Sequence, residues 1–230
     1  MDNQGIQSYF QLKNINWSAM RQATWETIWM TALSMIIVAI VGIILGLLLF
    51  ESHNKKGIGW KILNWIISFF VNVFRSIPFI ILIVLLLPFT RDLVGTIIGP
   101  KAAIPSLVIS AAPFYARMVE ADFREVDSGV IEAVKSMGGT NWDVIFKVLL
   151  PESTPALIAG GTVTAISLIS YTAMAGAIGS GGLGYLAYLD GFQSNNNTVT
   201  LVSTVIILII VLIVQTIGDL IVKKTDKRSL

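Results

Sequence analysis

Five long apolar stretches, at residues 27–50, 62–89, 102–118, 155–177 and 198–222, alternate along the chain with short polar segments. About 20 helical residues cross the roughly 30 Å hydrocarbon core of a bilayer, so each stretch predicts a spanning helix. The stretch 27–50 carries no charge, and its Gly42 and Gly46 form a GxxxG pattern, which suits close helix approach. Whether that face meets another helix or lipid is open from the pattern alone. In 62–89, Asn64, Ser68, Asn72 and Ser76 recur at every fourth residue, one polar stripe with Arg75 beside it. An arginine in a span faces the protein interior or water. The favoured expectation is one long, tilted span kinked near Pro78. The alternative is an interfacial helix ending near Arg75, followed by a short span. Pro105 and Pro113 are candidate kink points in 102–118, whose continuation, RMVEADFREVD, alternates in charge and is expected to run on as helix into water. In 155–177, Ala156 and Gly160 form a second small pair, and Thr164, Ser167, Tyr171 and Met174 share one face.

Two segments break this pattern. Residues 1–26 are polar, and Trp17, Arg21, Trp25 and Trp29 fall at steps of four. Tryptophan prefers the membrane interface, so an interfacial, extracytoplasmic segment is expected; packing within the protein is the alternative. The second is a polar island at 128–151, SGVIEAVKSMGGTNWDVIFKVLLP, between two apolar stretches. It reads as two short helices. Ser128 is expected to cap the first, which ends at Gly138-Gly139, and Thr140 with Asp143 forms a capping box for the second. Pro151 is expected to end the second, since it has no N–H.

Composition narrows the class. The chain has 230 residues, 54% hydrophobic and 13% charged, against about one quarter charged in an average soluble domain. This is an all-α integral membrane protein. A net charge of +2 gives no footprint for nucleic acid. There is no cysteine and one histidine, His53, which excludes thiol chemistry, HExxH zinc sites and multi-histidine metal sites. Residues 176–184, GAIGSGGLG, hold Gly176, Gly179, Gly181, Gly182 and Gly184 with no lysine following, so they are not a phosphate loop. They suit a tight turn where backbones approach closely or line a cavity, and with Pro78 they are candidate hinges or gates. No catalytic constellation, metal site or cofactor site emerges.

Glu132, Ala133, Gly138, Leu150 and Pro151 stand at the spacing E-A-A-x3-G-x9-I-x-L-P, with Val134 and Val148 replacing the second alanine and the isoleucine. This resembles the EAA loop of permease subunits of ATP-binding-cassette (ABC) importers. RSIPFIILIVLLLPFTR and the glycine run also resemble the methionine-importer permeases of that family, although Tyr185 and Tyr188 stand where such permeases often carry a charge. The resemblance, over about 27–222, implies a type I ABC importer permease core of five transmembrane helices with a cytoplasmic coupling helix pair. It implies that Glu132, Ala133, Val134, Gly138, Trp142, Leu150 and Pro151 engage a separate ATPase. It further implies two permease copies, two ATPase subunits, an extracytoplasmic substrate-binding protein, and methionine or a related amino acid as cargo. Ile131, Val134, Met137, Trp142 and Ile145 are the apolar residues expected to meet the ATPase; for Trp142 the alternative is packing on the chain's own spans.

With five spans, one side of the membrane carries Lys55, Lys56, Lys61, Arg117, Arg124, Lys135, Lys147, Lys223, Lys224, Lys227 and Arg228, and the other only Lys13, Arg21, Arg91 and Lys101. The positive-inside rule then places the island and the basic tail 223–230 in the cytoplasm and the N-terminus outside. A charged solute needs a polar path, and the stripes of the second and fourth spans are its candidates: Asn64, Ser68, Asn72, Ser167 and Tyr171, between two copies of the chain. Interhelical hydrogen bonding is the competing role for these side chains. Two other functions compete. A stand-alone channel or ion-coupled carrier would use Arg75 and Asp219 as relays, and a membrane anchor would leave the stripes without purpose.

Overall fold

A computed structural model describes residues 5–11, 15–55 and 57–226, so Lys13, Lys56, Lys227 and Arg228 of the orientation count lie outside the described residues. A short 3₁₀ turn, Ile6–Phe10, precedes helices α1 (Trp17–Asn54), α2 (Ile58–Ser76), α3 (Phe79–Leu85), α4 (Leu87–Val94), α5 (Pro100–Arg124), α6 (Ser128–Ser136), α7 (Asn141–Val144), α8 (Leu150–Gly176), α9 (Gly182–Tyr185) and α10 (Asn197–Thr225). π-helical segments at Ile145–Leu149 and Leu186–Gln193 continue α7 and α9. By length and composition, four helices can cross a bilayer, and the bent pair Ile58–Ser76 and Phe79–Leu85 supplies a fifth crossing if counted as one broken span.

The first helix begins ten residues before the apolar stretch. Asn16 caps it, its Oδ1 accepting from the Ser18 and Ala19 N–H groups, both at 3.1 Å. Trp17 and Trp25 project outward and Trp29 is half-buried. The expected single kinked span at 62–89 is replaced by a break: α2 and α3 meet at 108°. Pro78 disfavours the helical conformation at Ile77, and its own backbone is extended at φ −56, ψ 134. Its carbonyl then caps α3, accepting from Ile81 and Leu82 at 2.9 and 3.0 Å. The prolines of the third stretch do not interrupt it: α5 runs through Pro105 and Pro113 and on to Arg124, as the alternating charges predicted.

The described chain divides into two compact units. One comprises residues 1–37, 77–111 and 165–214. Its core includes Ile15, Met20, Ala23, Leu183, Leu186 and Val199. Here the glycine run makes the close approach its composition predicted. A Cβ on Gly176 would collide with the Tyr185 amide, and one on Gly184 with the Ala173 backbone. The N-terminal end of α9 is held to α1, since Gly182 N–H donates to Glu26 Oε2 at 2.8 Å and Leu183 N–H to Thr27 Oγ1 at 2.9 Å.

The other unit comprises residues 38–76, 112–164 and 215–230. It decides the GxxxG question in favour of helix packing. A Cβ on Gly42 would lie 2.6 Å from Tyr115 Cδ1, and one on Gly46 2.6 Å from Val119 Cγ1 and 2.8 Å from the Ala116 carbonyl. Tyr115 OH donates to the Leu157 carbonyl at 3.0 Å, tying α5 to α8. The island belongs to this unit.

Candidate functional site

The island is built by local rules. Asp127, not Ser128, caps α6: its Oδ1 accepts from Gly129 N–H at 2.8 Å, and Ser128 is the first helical residue. Both residue types are good caps, and an aspartate one position earlier took the role. The C-terminal end of α6 is a Schellman motif: Gly139 N–H reaches the Val134 carbonyl at 2.9 Å and Gly138 N–H the Lys135 carbonyl at 3.0 Å. Gly138 sits at φ +83, where an L side chain is strained by about 1–2 kcal/mol. A Cβ on Gly139 would lie 2.6 Å from Val134 Cγ1, so the bulky Val134 is accommodated because glycine faces it.

The second helix starts as predicted. Thr140 Oγ1 accepts from Asp143 N–H at 3.2 Å, and Asp143 Oδ2 accepts from Thr140 N–H at 2.8 Å. Lys147 Nζ pairs with Asp143 Oδ1 at 2.6 Å. Asp143 stands in the exposed island, outside the apolar part of its helix. The Lys147 hydrogen bond, then the side-chain and backbone bonds of Thr140, hold its carboxyl well below the usual carboxylate range.

Pro151 does not end this helix, which is continuous over Asn141–Gly176. One π turn precedes it, Leu150 N–H donating to the Ile145 carbonyl five residues back. A proline ring presses on the carbonyl four residues earlier in an α-helix, and π adjustments re-satisfy freed backbone groups. The chain therefore passes from island to apolar helix without a joint.

The island's surface is apolar in the wrong place for a merely solvated loop. Met137 is 79% exposed, Trp142 67% and Phe146 60%, and Val130 of α6 is also exposed. Trp142 and Phe146 stack, centroids 5.7 Å apart and planes 17° apart. The exposure of Trp142 excludes packing on its own spans. Ile131 and Val134 are half-buried, and Glu132, Ala133, Gly138 and Pro151 are exposed. Ile145 was expected to face outward; it is buried at 7% exposure, and Phe146 takes its place. Contiguous exposed apolar side chains rimmed by charge mark an interaction surface.

The stripe residues separate. Asn64, Ser68 and Asn72 lie in one unit, Ser167 and Tyr171 in the other. Asn64 Nδ2 donates to Ser52 Oγ at 2.9 Å and to the Leu49 carbonyl at 3.3 Å, and Asn72 Oδ1 accepts from Arg117 Nη2 at 3.2 Å. Both asparagines thus hold other helices, the competing role. Tyr171 stacks on Phe79, centroids 4.7 Å apart. Sequence reasoning missed Phe146 and also Glu120, which is buried between Arg117 and Arg124. The signal was present in the Arg-Glu-Arg spacing, i, i+3, i+7, on one face of α5. Among the described residues, no group of three or more acidic or histidine side chains is placed to hold a metal ion.

Comparison with known proteins follows the same outline. Residues 59–229 match the family described as binding-protein-dependent transport system inner membrane component. Over 225 residues the chain is 60% identical to the methionine import system permease protein MetP of Bacillus subtilis (strain 168), covering 97% of this chain and 100% of that protein. It is 42% identical over 212 residues to the probable D-methionine transport system permease protein MetI of Pasteurella multocida (strain Pm70), covering 92% and 98%. A solved structure of inward facing conformations of the MetNI methionine ABC transporter matches at TM-score 0.87 and 43% identity, covering 91% of this chain and 97% of that one. An amino acid ABC transporter at 18% identity and TM-score 0.76 shares the fold.

Proposed function

The chain belongs to the family of binding-protein-dependent transport system inner membrane components, and on that membership we propose that it is the membrane-spanning permease subunit of an ATP-driven importer of methionine. It is a transport subunit and not an enzyme; a partner ATPase hydrolyses the ATP. The observation that carries the reading is the exposed apolar island, present in a chain similar over 97% of its length to a methionine import permease. An apolar, rigidly capped surface between spans is a docking site for a soluble partner, and in an ABC importer that partner is the ATPase. Trp142 and Phe146 are its aromatic anchors, flanked by Met137. Glu132, Ala133, Val134, Gly138, Leu150 and Pro151 shape the corner that presents them. The stand-alone carrier gives the island no role and is set aside.

Two copies of the chain pair as a homodimer with two ATPase subunits, and an extracytoplasmic binding protein delivers the cargo. The island and the C-terminal tail lie in the cytoplasm and the N-terminus outside, in accord with the asymmetry of basic residues. The path runs between the copies, flanked by Ser68, Ser167 and Tyr171, while Asn64 and Asn72 hold neighbouring helices. Pro78 and the glycines at 176–184 are its hinge candidates.

A pull-down tests the assembly. The tagged chain is extracted in mild detergent from its own cells, with Gly138→Arg as control. An ATPase is expected at one copy per permease, lost in the control while the variant still inserts. A permease recovered alone, from an extract in which other assemblies survive, would overturn the reading.

A further inference from the structure

The last turns of α5, which lead into the island, gather contacts from three other helices of their unit. Val119 and the Ala116 carbonyl fill the notch left by Gly46 of α1, and Phe123 meets Phe50 edge-on at 5.9 Å. Ser153 of α8 donates to the Asp122 carbonyl at 3.4 Å. The link to α2 is polar and runs through a buried charge. Glu120 is 4% exposed; its Oε2 accepts from Arg117 Nη1 and its Oε1 from Arg124 Nη2, each at 2.6 Å. Arg117 uses its second terminal nitrogen, Nη2, on Asn72 Oδ1 of α2.

A buried carboxylate is tolerated only when paired, and here both oxygens are held by different arginines. An exposed i, i+4 pair would be worth little and would order nothing beyond its own helix. This one orders more. Glu120 fixes the plane of the Arg117 guanidinium, and that plane aims Nη2 at Asn72. The helix α5 does not need Asn72 for its own hydrogen bonds; what the contact adds is a tie from α5 to α2, seven residues before Arg124 and close to where α6 begins.

We propose that Glu120 is a positioning residue for transport: through Arg117 it clasps Asn72 to the end of α5, so that displacement of the island moves α2 with it. The proposal rests on the importer reading. Without the clasp, the ATPase still docks and hydrolyses ATP, but the motion is spent on α5 sliding past α2.

The test is uptake per ATP hydrolysed, measured on the complete permease–ATPase–binding-protein complex in proteoliposomes, for Glu120→Ala, Asn72→Ser and Asn72→Asp. The serine keeps polarity but is too short to reach Arg117; the aspartate keeps both polarity and reach. Expected is wild-type assembly in all three, with the coupling ratio down about tenfold in Glu120→Ala and Asn72→Ser, within the usual range of coupling between sites, and near wild type in Asn72→Asp. An unchanged ratio in Asn72→Ser overturns the clasp, even if Glu120→Ala fails to fold, because Asn72 is exposed and its change is mild. Equal proportional loss of uptake and hydrolysis also overturns it, as that marks a structural role only. A wild-type complex without ATP-dependent uptake would instead overturn the importer reading beneath it.

Discussion

Trp142 and Phe146 show what a single side chain decides. At 67% and 60% exposure they contribute little to the fold of an isolated chain, yet they form the island's one aromatic stack. Each replaced by alanine is expected to weaken ATPase binding by about 2 kcal/mol or more, roughly thirtyfold, as anchors at interface centres do. The melting temperature of the permease alone should stay put. Titration of purified ATPase against detergent-solubilised variants measures both. The outward position of Trp142 was legible in the sequence. That of Phe146 was not, because residues three and four after Trp142 both return to its face of a helix. Only burial of Ile145 against the chain's own core determines which is left outside.

At the scale of elements, α1 packs closely on α5. Gly46→Leu would drive a branched side chain into Val119 and the Ala116 carbonyl, and overpacking of this kind destabilises by about 1–3 kcal/mol. Gly59→Ala, at a helical glycine with nothing within 4 Å of the added carbon, is the control. Thermal unfolding in detergent should separate the two, with Gly46→Leu lower and the control unmoved. Element starts were readable where chemistry is local: Thr140 and Asp143 formed the predicted box. Ends were harder. Pro151 signals a stop to any local rule, but one widened turn carried the helix past it. The GxxxG face was ambiguous for a related reason, since the pattern permits close approach without naming the neighbour.

For the molecule as a whole, hydropathy disclosed the crossings, and composition excluded thiol chemistry and multi-histidine metal sites. The EAA spacing pointed to the island. The division of the stripe residues between two units was beyond either, because it depends on which helices share a core. Within the proposed path, Ser167→Leu and Tyr171→Leu are expected to lower methionine uptake by about tenfold each, a barrier change near 1.4 kcal/mol, by removing polar wall from the route. Expression and ATPase recovery should hold. Radiolabelled uptake in cells reads the outcome, and unchanged uptake would move the path elsewhere.

The break between α2 and α3 has a consequence for hydration. The last carbonyls of a helix such as α2, which ends at Ser76, have no N–H partner within that helix. Lipid offers them nothing, and each unmet group there costs several kcal/mol. Water or headgroups are therefore expected to reach the bend at Ile77–Pro78. In nanodiscs, deuterium should enter the amides of Ile77 and Phe79 well before those at the centre of α10. Equal protection would mean that a second chain seals the notch.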